Sequence, residues 1–144
     1  MKLRTPARFF PILLLVIFAA PALVGCGKTL YTNLDSKQLQ AKLKEGGTPL
    51  YDVRRPEEWR QTGVVPGSRT LTFVDASGRL VPGFLEKFTA SVQKNEPVII
   101  ICRTGSRTAY LARYLTEKLG YTKVYNVRYG ITDWIRGGHA VSRL

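Results

Sequence analysis

Six consecutive residues, Cys102-Arg103-Thr104-Gly105-Ser106-Arg107, hold the most reactive chemistry in the chain. They follow Pro97-Val98-Ile99-Ile100-Ile101, whose unbroken β-branched run predicts a central strand of a parallel sheet, buried on both faces. They lead into a helix predicted from about Ser106 to Leu119 and closed by Gly120. Ligands of open α/β sheets bind at the carboxyl ends of the strands. A loop entering a helix there presents N–H groups and the positive end of the helix dipole. Gly105 removes a side chain where the backbone has to curl inward, and Arg103 and Arg107 add two positive charges. All of this favours thiolate over thiol and makes Cys102 the expected nucleophile. A structural cysteine that merely ends a core strand does not account for two arginines and a glycine in the next five positions.

The rest of the chain reads as the scaffold for that loop. Asp35 to Lys44 predicts an amphipathic helix, with Leu39 and Leu43 on one face and Gly46-Gly47 as its stop. Pro49 to Val53 predicts a strand, and Pro56-Glu57-Glu58-Trp59 opens a short helix with proline where a missing N–H costs least. Val64-Val65-Pro66-Gly67 reads as a turn and Thr70 to Val74 as a strand. A helix from Phe84, a strand from Lys123 to Val127 and a short helix around Asp133-Trp134-Ile135 complete the order. Strands separated by helices predict an α/β fold, a mostly parallel sheet covered by helices on both faces. No repeat or low-complexity linker divides the chain, and its 144 residues suit one domain, from about Thr29 to the end.

Four segments carry a family resemblance. Cys102 to Thr108 resembles the active-site loop of rhodaneses, whose single-domain members often read Cys-Arg-Ser-Gly-x-Arg-Ser. Asp52-Val53-Arg54 with Pro56-Glu57-Glu58-Trp59 resembles the family's Asp-Val-Arg-x-Pro-x-Glu-Trp segment, and Gly63 to Ser68 resembles its Gly-His-Ile-Pro-Gly-Ala turn. Tyr129-Gly130 with Trp134 resembles its closing Gly-Gly-x-x-x-Trp. Val64 stands where the family usually has histidine, and Tyr129 replaces the first closing glycine. The resemblance implies the rhodanese-like sheet and a sulfurtransferase. In such an enzyme Cys102 takes a sulfane sulfur from thiosulfate or another small anionic donor and passes it to cyanide or a thiol acceptor. Arg107 then orients the donor and Arg103 gathers it, while Thr104, Gly105 and Ser106 form the cradle, with Thr104 and Ser106 tuning acceptor choice. Arg54 approaches the loop, and Asp52 braces the architecture. The alternative is a lipid-anchored persulfide carrier that acts only with a protein partner.

Cys102 to Arg107 is Cys-x4-Arg; related phosphatases and arsenate reductases use the wider Cys-x5-Arg, so the resemblance favours sulfur over phosphate. No cofactor or metal is expected, since two cysteines and the single His139 do not supply a normal zinc site.

The first 25 residues read as an export signal: Lys2, Arg4 and Arg8, an apolar run from Phe9 to Ala20, then a small-residue exit. Leu23-Val24-Gly25-Cys26 is similar to the lipobox of bacterial lipoproteins, which implies cleavage before Cys26, acylation of that cysteine and a mature chain of residues 26–144. The lipid anchor would hold the chain at the periplasmic face of a membrane. Gly27 is not the aspartate associated with inner-membrane retention, which points to the outer membrane. Loss of the leader's three cations takes the formal charge from +12 to +9. Such a surface attracts anions, but export and the lack of zinc-finger or RNA-binding motifs argue against nucleic acid. With Cys26 acylated, Cys102 has no partner for a disulfide within the chain.

Overall fold

The computed structural model describes residues 30–144. Five strands form one wholly parallel sheet: β1 (Thr32–Leu34), β2 (Leu50–Asp52), β3 (Arg69–Thr70), β4 (Val98–Ile101) and β5 (Val124–Val127), in the order β1-β5-β4-β2-β3. The helices are α1 (Ser36–Glu45), α2 (Pro56–Thr62), α3 (Phe84–Ser91), α4 (Ser106–Glu117) and α5 (Gly130–Arg136).

β4 is the central strand, as its composition predicts, and its four residues are wholly buried. Its side chains alternate between two cores. Val98 and Ile100 join Phe84 and Phe88 of α3 and Leu111 and Leu115 of α4. Ile99 and Ile101 join Leu39 of α1 and Ile131 and Trp134 of α5. Each fully buried side chain of this size contributes about 1.5–3 kcal/mol of hydrophobic stabilisation, so β4 anchors both layers.

Local signals set the helix ends. Asp35 caps α1 by accepting from the Gln38 N–H at 2.8 Å, while the Gln38 side chain accepts from the Asp35 N–H at 2.9 Å. Pro56 opens α2 as its first residue.

Two strands differ from expectation. Thr32–Leu34, to which the sequence assigns no element, pairs with β5, and Asn33 accepts from the Asn126 side-chain amide at 2.8 Å. Three residues are too short for a periodic signal, and the partner lies 93 positions away. The strand predicted from Thr70 to Val74 is only Arg69–Thr70. Beyond it the chain still follows the end of β2, with the Leu71 and Phe73 N–H groups donating to the Asp52 and Val53 carbonyls at 3.0 and 3.2 Å. It buries Phe73, then closes a Val74–Leu80 bridge around Asp75, which accepts from the N–H groups of Ser77 and Arg79.

Candidate active site

From β2 the chain passes outward to β3; from β4 it passes to β5 on the opposite side. The carboxyl ends of β2 and β4 therefore flank the crevice where connections diverge, the place where open α/β sheets bind ligands. Cys102 leaves β4 into it, and Asp52, Arg54 and Glu58 come from the β2 side.

Cys102 has no exposed surface. Its Sγ accepts from the Gly105 N–H at 3.2 Å, and the Thr108 hydroxyl lies 3.4 Å away. That hydroxyl also faces the Gly105 carbonyl at 3.1 Å, so its one hydrogen serves one acceptor at a time.

The loop is shaped from outside. The Ile131 N–H donates to the Cys102 carbonyl at 2.9 Å, and Thr132 donates to the Arg103 carbonyl through its N–H at 3.1 Å and its hydroxyl at 2.8 Å. No cis peptide occurs among the described residues. Across a trans peptide, C=O and N–H point opposite ways, so pinning these two carbonyls on α5 turns the N–H groups of Arg103 and Thr104 away from it. Two glycines allow the fit. Gly105 adopts φ +91° against the Arg128 carbonyl, and Gly130 adopts φ +61° against the backbone of Cys102 and Arg103.

Arg107, at the first turn of α4, forms a two-pronged ion pair with Glu58 of α2: Nη1 to Oε2 at 2.8 Å and Nη2 to Oε1 at 2.6 Å. Burial pushes the Glu58 carboxyl up, but the Arg107 hydrogen bonds, the Arg55 N–H and the two guanidinium charges outweigh it and hold the carboxyl at about 2. Arg107 is raised in turn, chiefly by its Glu58 hydrogen bonds, against burial, with a further contribution from Cys102. Because the Glu58 carboxyl sits lower in the folded chain than its ordinary 4.5, the pair's stabilisation is complete above that pH and is lost as pH falls toward about 2. Thermal unfolding between pH 5 and pH 2 should therefore show a decline that is smaller in Glu58→Gln.

Arg54 lines the hollow that also reaches Arg103 of the loop, but its donors point elsewhere. Its buried guanidinium turns back on Asp52, with Nε at 2.9 and 3.0 Å from the two carboxylate oxygens and Nη2 at 2.7 Å. Its other donors go to the Gly63 carbonyl at 2.7 Å, the Thr62 hydroxyl at 2.7 Å and the Glu58 carbonyl at 3.2 Å. With its donors spent on protein acceptors, Arg54 holds α2 to the end of β2.

Arg103, Thr104 and Ser106 form the exposed rim, and Arg103 takes no ion pair among the described residues. A hollow of about 480 Å³ lined by Arg55, Phe73, Leu80, Arg107 and Tyr110 opens on one side, and one of about 250 Å³ lies between Glu58 and Arg103 on the other. A further hollow, about 780 Å³ beside Pro49, Pro66 and Pro97, lies at the amino ends of the strands, away from the loop.

The replacements at Val64 and Tyr129 are accommodated. Val64 is buried and bridges to Ser142 of the C-terminal tail, with backbone bonds at 2.9 and 2.8 Å; Tyr129 is half exposed beside Arg128. His139, half-buried, stacks on Trp134 with ring centroids 4.3 Å apart, and its Nδ1 lies 3.4 Å from the Gln40 side-chain amide. Sequence reasoning assigned no role to Glu58 or Thr108, although both lie inside the quoted motifs. Cys26 and the leader lie outside the described residues.

Residues 35–136 match the family described as the Rhodanese-like domain. A protein named sulfurtransferase from Allochromatium vinosum is 31% identical over 110 residues, 76% of this chain and 92% of that one. The thiosulfate sulfurtransferase GlpE of Tolumonas auensis is 28% identical over 104 residues, 72% and 88% of the two chains. A crystal structure from M. tuberculosis shares the fold with a TM-score of 0.64 at 23% identity, covering 78% of this chain and 98% of that one.

Proposed function

Since the chain belongs to the rhodanese-like domain family and has its α/β fold, we propose that it is a sulfurtransferase whose Cys102 carries a persulfide. In the first half-reaction the Cys102 thiolate attacks the outer sulfur of thiosulfate. A new S–S bond forms, the donor's S–S bond breaks, and sulfite leaves with the electron pair. In the second, cyanide or a thiolate attacks the outer sulfur of the persulfide. The bond to Cys102 breaks, returning the thiolate and giving thiocyanate or an acceptor persulfide. Charge and electrons balance in each half without a cofactor.

The observation that carries this reading is Cys102 Sγ on the floor of a six-residue loop, with the Gly105 N–H at 3.2 Å. The N–H groups of Arg103 and Thr104 face away from α5, whose Ile131 and Thr132 hold the carbonyls, which leaves them available to a persulfide anion. Arg103, unpaired among the described residues, gathers an anionic donor, and Arg107 orients it. The A. vinosum and T. auensis relatives are named for sulfur transfer, the second for thiosulfate, which supports the same chemistry here. We further propose that the chain is anchored by acylated Cys26 at the periplasmic face of a membrane, on the strength of the leader and lipobox.

Mass spectrometry of protein extracted from membranes and treated with thiosulfate tests both proposals together. Cys102 should gain the mass of one sulfur atom, which cyanide removes, and Cys102→Ser should gain nothing. The N-terminal peptide should begin at an acylated Cys26. A wild-type protein that takes sulfur from no sulfane donor overturns the reading. A persulfide that loads but ignores cyanide would favour the carrier that acts only with a protein partner.

A further inference from the structure

We propose that Glu58 is a positioning residue that sets both the pose and the effective charge of Arg107. This rests on the sulfur-transfer reading.

The ion pair spans the crevice, joining α2 to α4 between residues 49 positions apart. Glu58 is not free to swing. Its Oε2 also accepts from the Arg55 N–H at 3.1 Å, and its own carbonyl accepts from Arg54. A buried, saturated Arg54–Asp52 pair thus holds the turn that holds Glu58. A guanidinium has five N–H donors in a rigid fork. The carboxylate takes one from each Nη, which fixes the plane of the fork and leaves its remaining edges for the loop.

The charge consequence follows from what the loop has to bind and release. Thiosulfate arrives as an anion, and sulfite leaves as one. An uncompensated, half-buried arginine beside the sulfur holds both tightly. A carboxylate within hydrogen-bond distance offsets that charge while keeping the donor geometry, so the donor is aligned and the product is released. Arg103, exposed and without an ion pair among the described residues, is left to draw anions toward the loop. Glu58 stays ionised across the neutral range, so the compensation is permanent.

The experiment measures sulfur loading of Cys102 by thiosulfate, and its inhibition by sulfite, in wild type, Glu58→Gln and Glu58→Asp. Glutamine keeps the shape but removes the charge. The half-saturating thiosulfate concentration and the sulfite inhibition constant should both fall, by roughly fivefold, as expected for one compensating charge removed from a partly buried site. The maximal loading rate should fall as well. Aspartate keeps the charge but draws it back by one methylene. Its two anion constants should stay within about twofold of wild type, while loading slows roughly tenfold through the lost alignment.

A purely structural Glu58 would lower the melting temperature and leave the anion constants unchanged, and that result overturns the proposal. Equal or weaker sulfite inhibition in Glu58→Gln overturns it too. If Glu58→Gln does not fold, folded Glu58→Asp decides, and wild-type loading in it counts against the role. Failure here with normal wild-type loading leaves the sulfur reading intact. A wild type that never loads removes both.

Discussion

Replacing Gly105 by alanine is expected to destabilise the protein by about 4 kcal/mol or more and to stop sulfur loading, because two costs fall on one position. The first is conformational. Gly105 sits at φ +91°, a region that costs a residue bearing a Cβ about 1–2 kcal/mol. The second is steric. The added Cβ would fall inside the Arg128 carbonyl and its carbon, which are backbone atoms at the end of β5 with nowhere to go. To make room, the loop must lift from β5, which takes the Gly105 N–H off the Cys102 sulfur. Gly120 is a control for the conformational cost alone, having φ +76° and nothing within 4 Å of an added Cβ. Gly120→Ala should lower the unfolding midpoint modestly and leave loading intact. Comparing the two variants in denaturant unfolding and thiosulfate loading separates backbone strain from collision. Equal losses in both would refute the interlocked packing described for the loop.

The second large effect is expected at Asp52. Asp52→Asn leaves the Arg54 guanidinium buried among neutral acceptors and turns amide hydrogens toward donors. Four donor groups address the Asp52 carboxylate: the Arg54 backbone N–H, Nε and Nη2, and the Trp59 ring N–H. Breaking a buried ion pair from one side costs about 3–5 kcal/mol. For a domain of this size that is a fall of roughly 10–20 °C in melting temperature. Arg54→Met in the Asp52→Leu background should cost less than Asp52→Asn alone, since it removes the buried charge along with its partner. If the single variant melts like wild type, the pair is not holding α2 in place.

The sequence made much of this molecule legible because its strongest signals are local. The unbroken Val98–Ile101 run marks a strand buried on both faces, and it is the central strand. Asp35 and Gln38 form a capping box that fixes where α1 starts. The Cys102–Arg107 loop stands between a strand and a helix, as its neighbours in sequence require. What was hidden is what depends on distant partners. β1 exists because β5 offers an edge to it. The motif gives the identity of Arg54 but not the direction of its donors, which Asp52, Thr62 and Gly63 set. The Glu58–Arg107 pair was invisible for the same reason. Each residue sits in a recognisable motif, but no periodicity links positions 58 and 107. Thr108 lies within the motif as well, yet only the first turn of α4 brings its hydroxyl to the sulfur.

If Cys102 carries sulfur as proposed, its complete burial limits which molecules can take that sulfur. A thiol on a protein surface reacts with whatever collides with it, and the reduction potentials of the partners then decide the outcome. Here shape is sorted before chemistry begins. Cyanide is slender enough to reach the floor of the loop unaided. A thiol belonging to another protein has to come on a segment narrow enough to enter the loop, because the sulfur itself offers no exposed surface. The depth of the sulfur is thus a gauge that a sulfur acceptor passes or fails by its width.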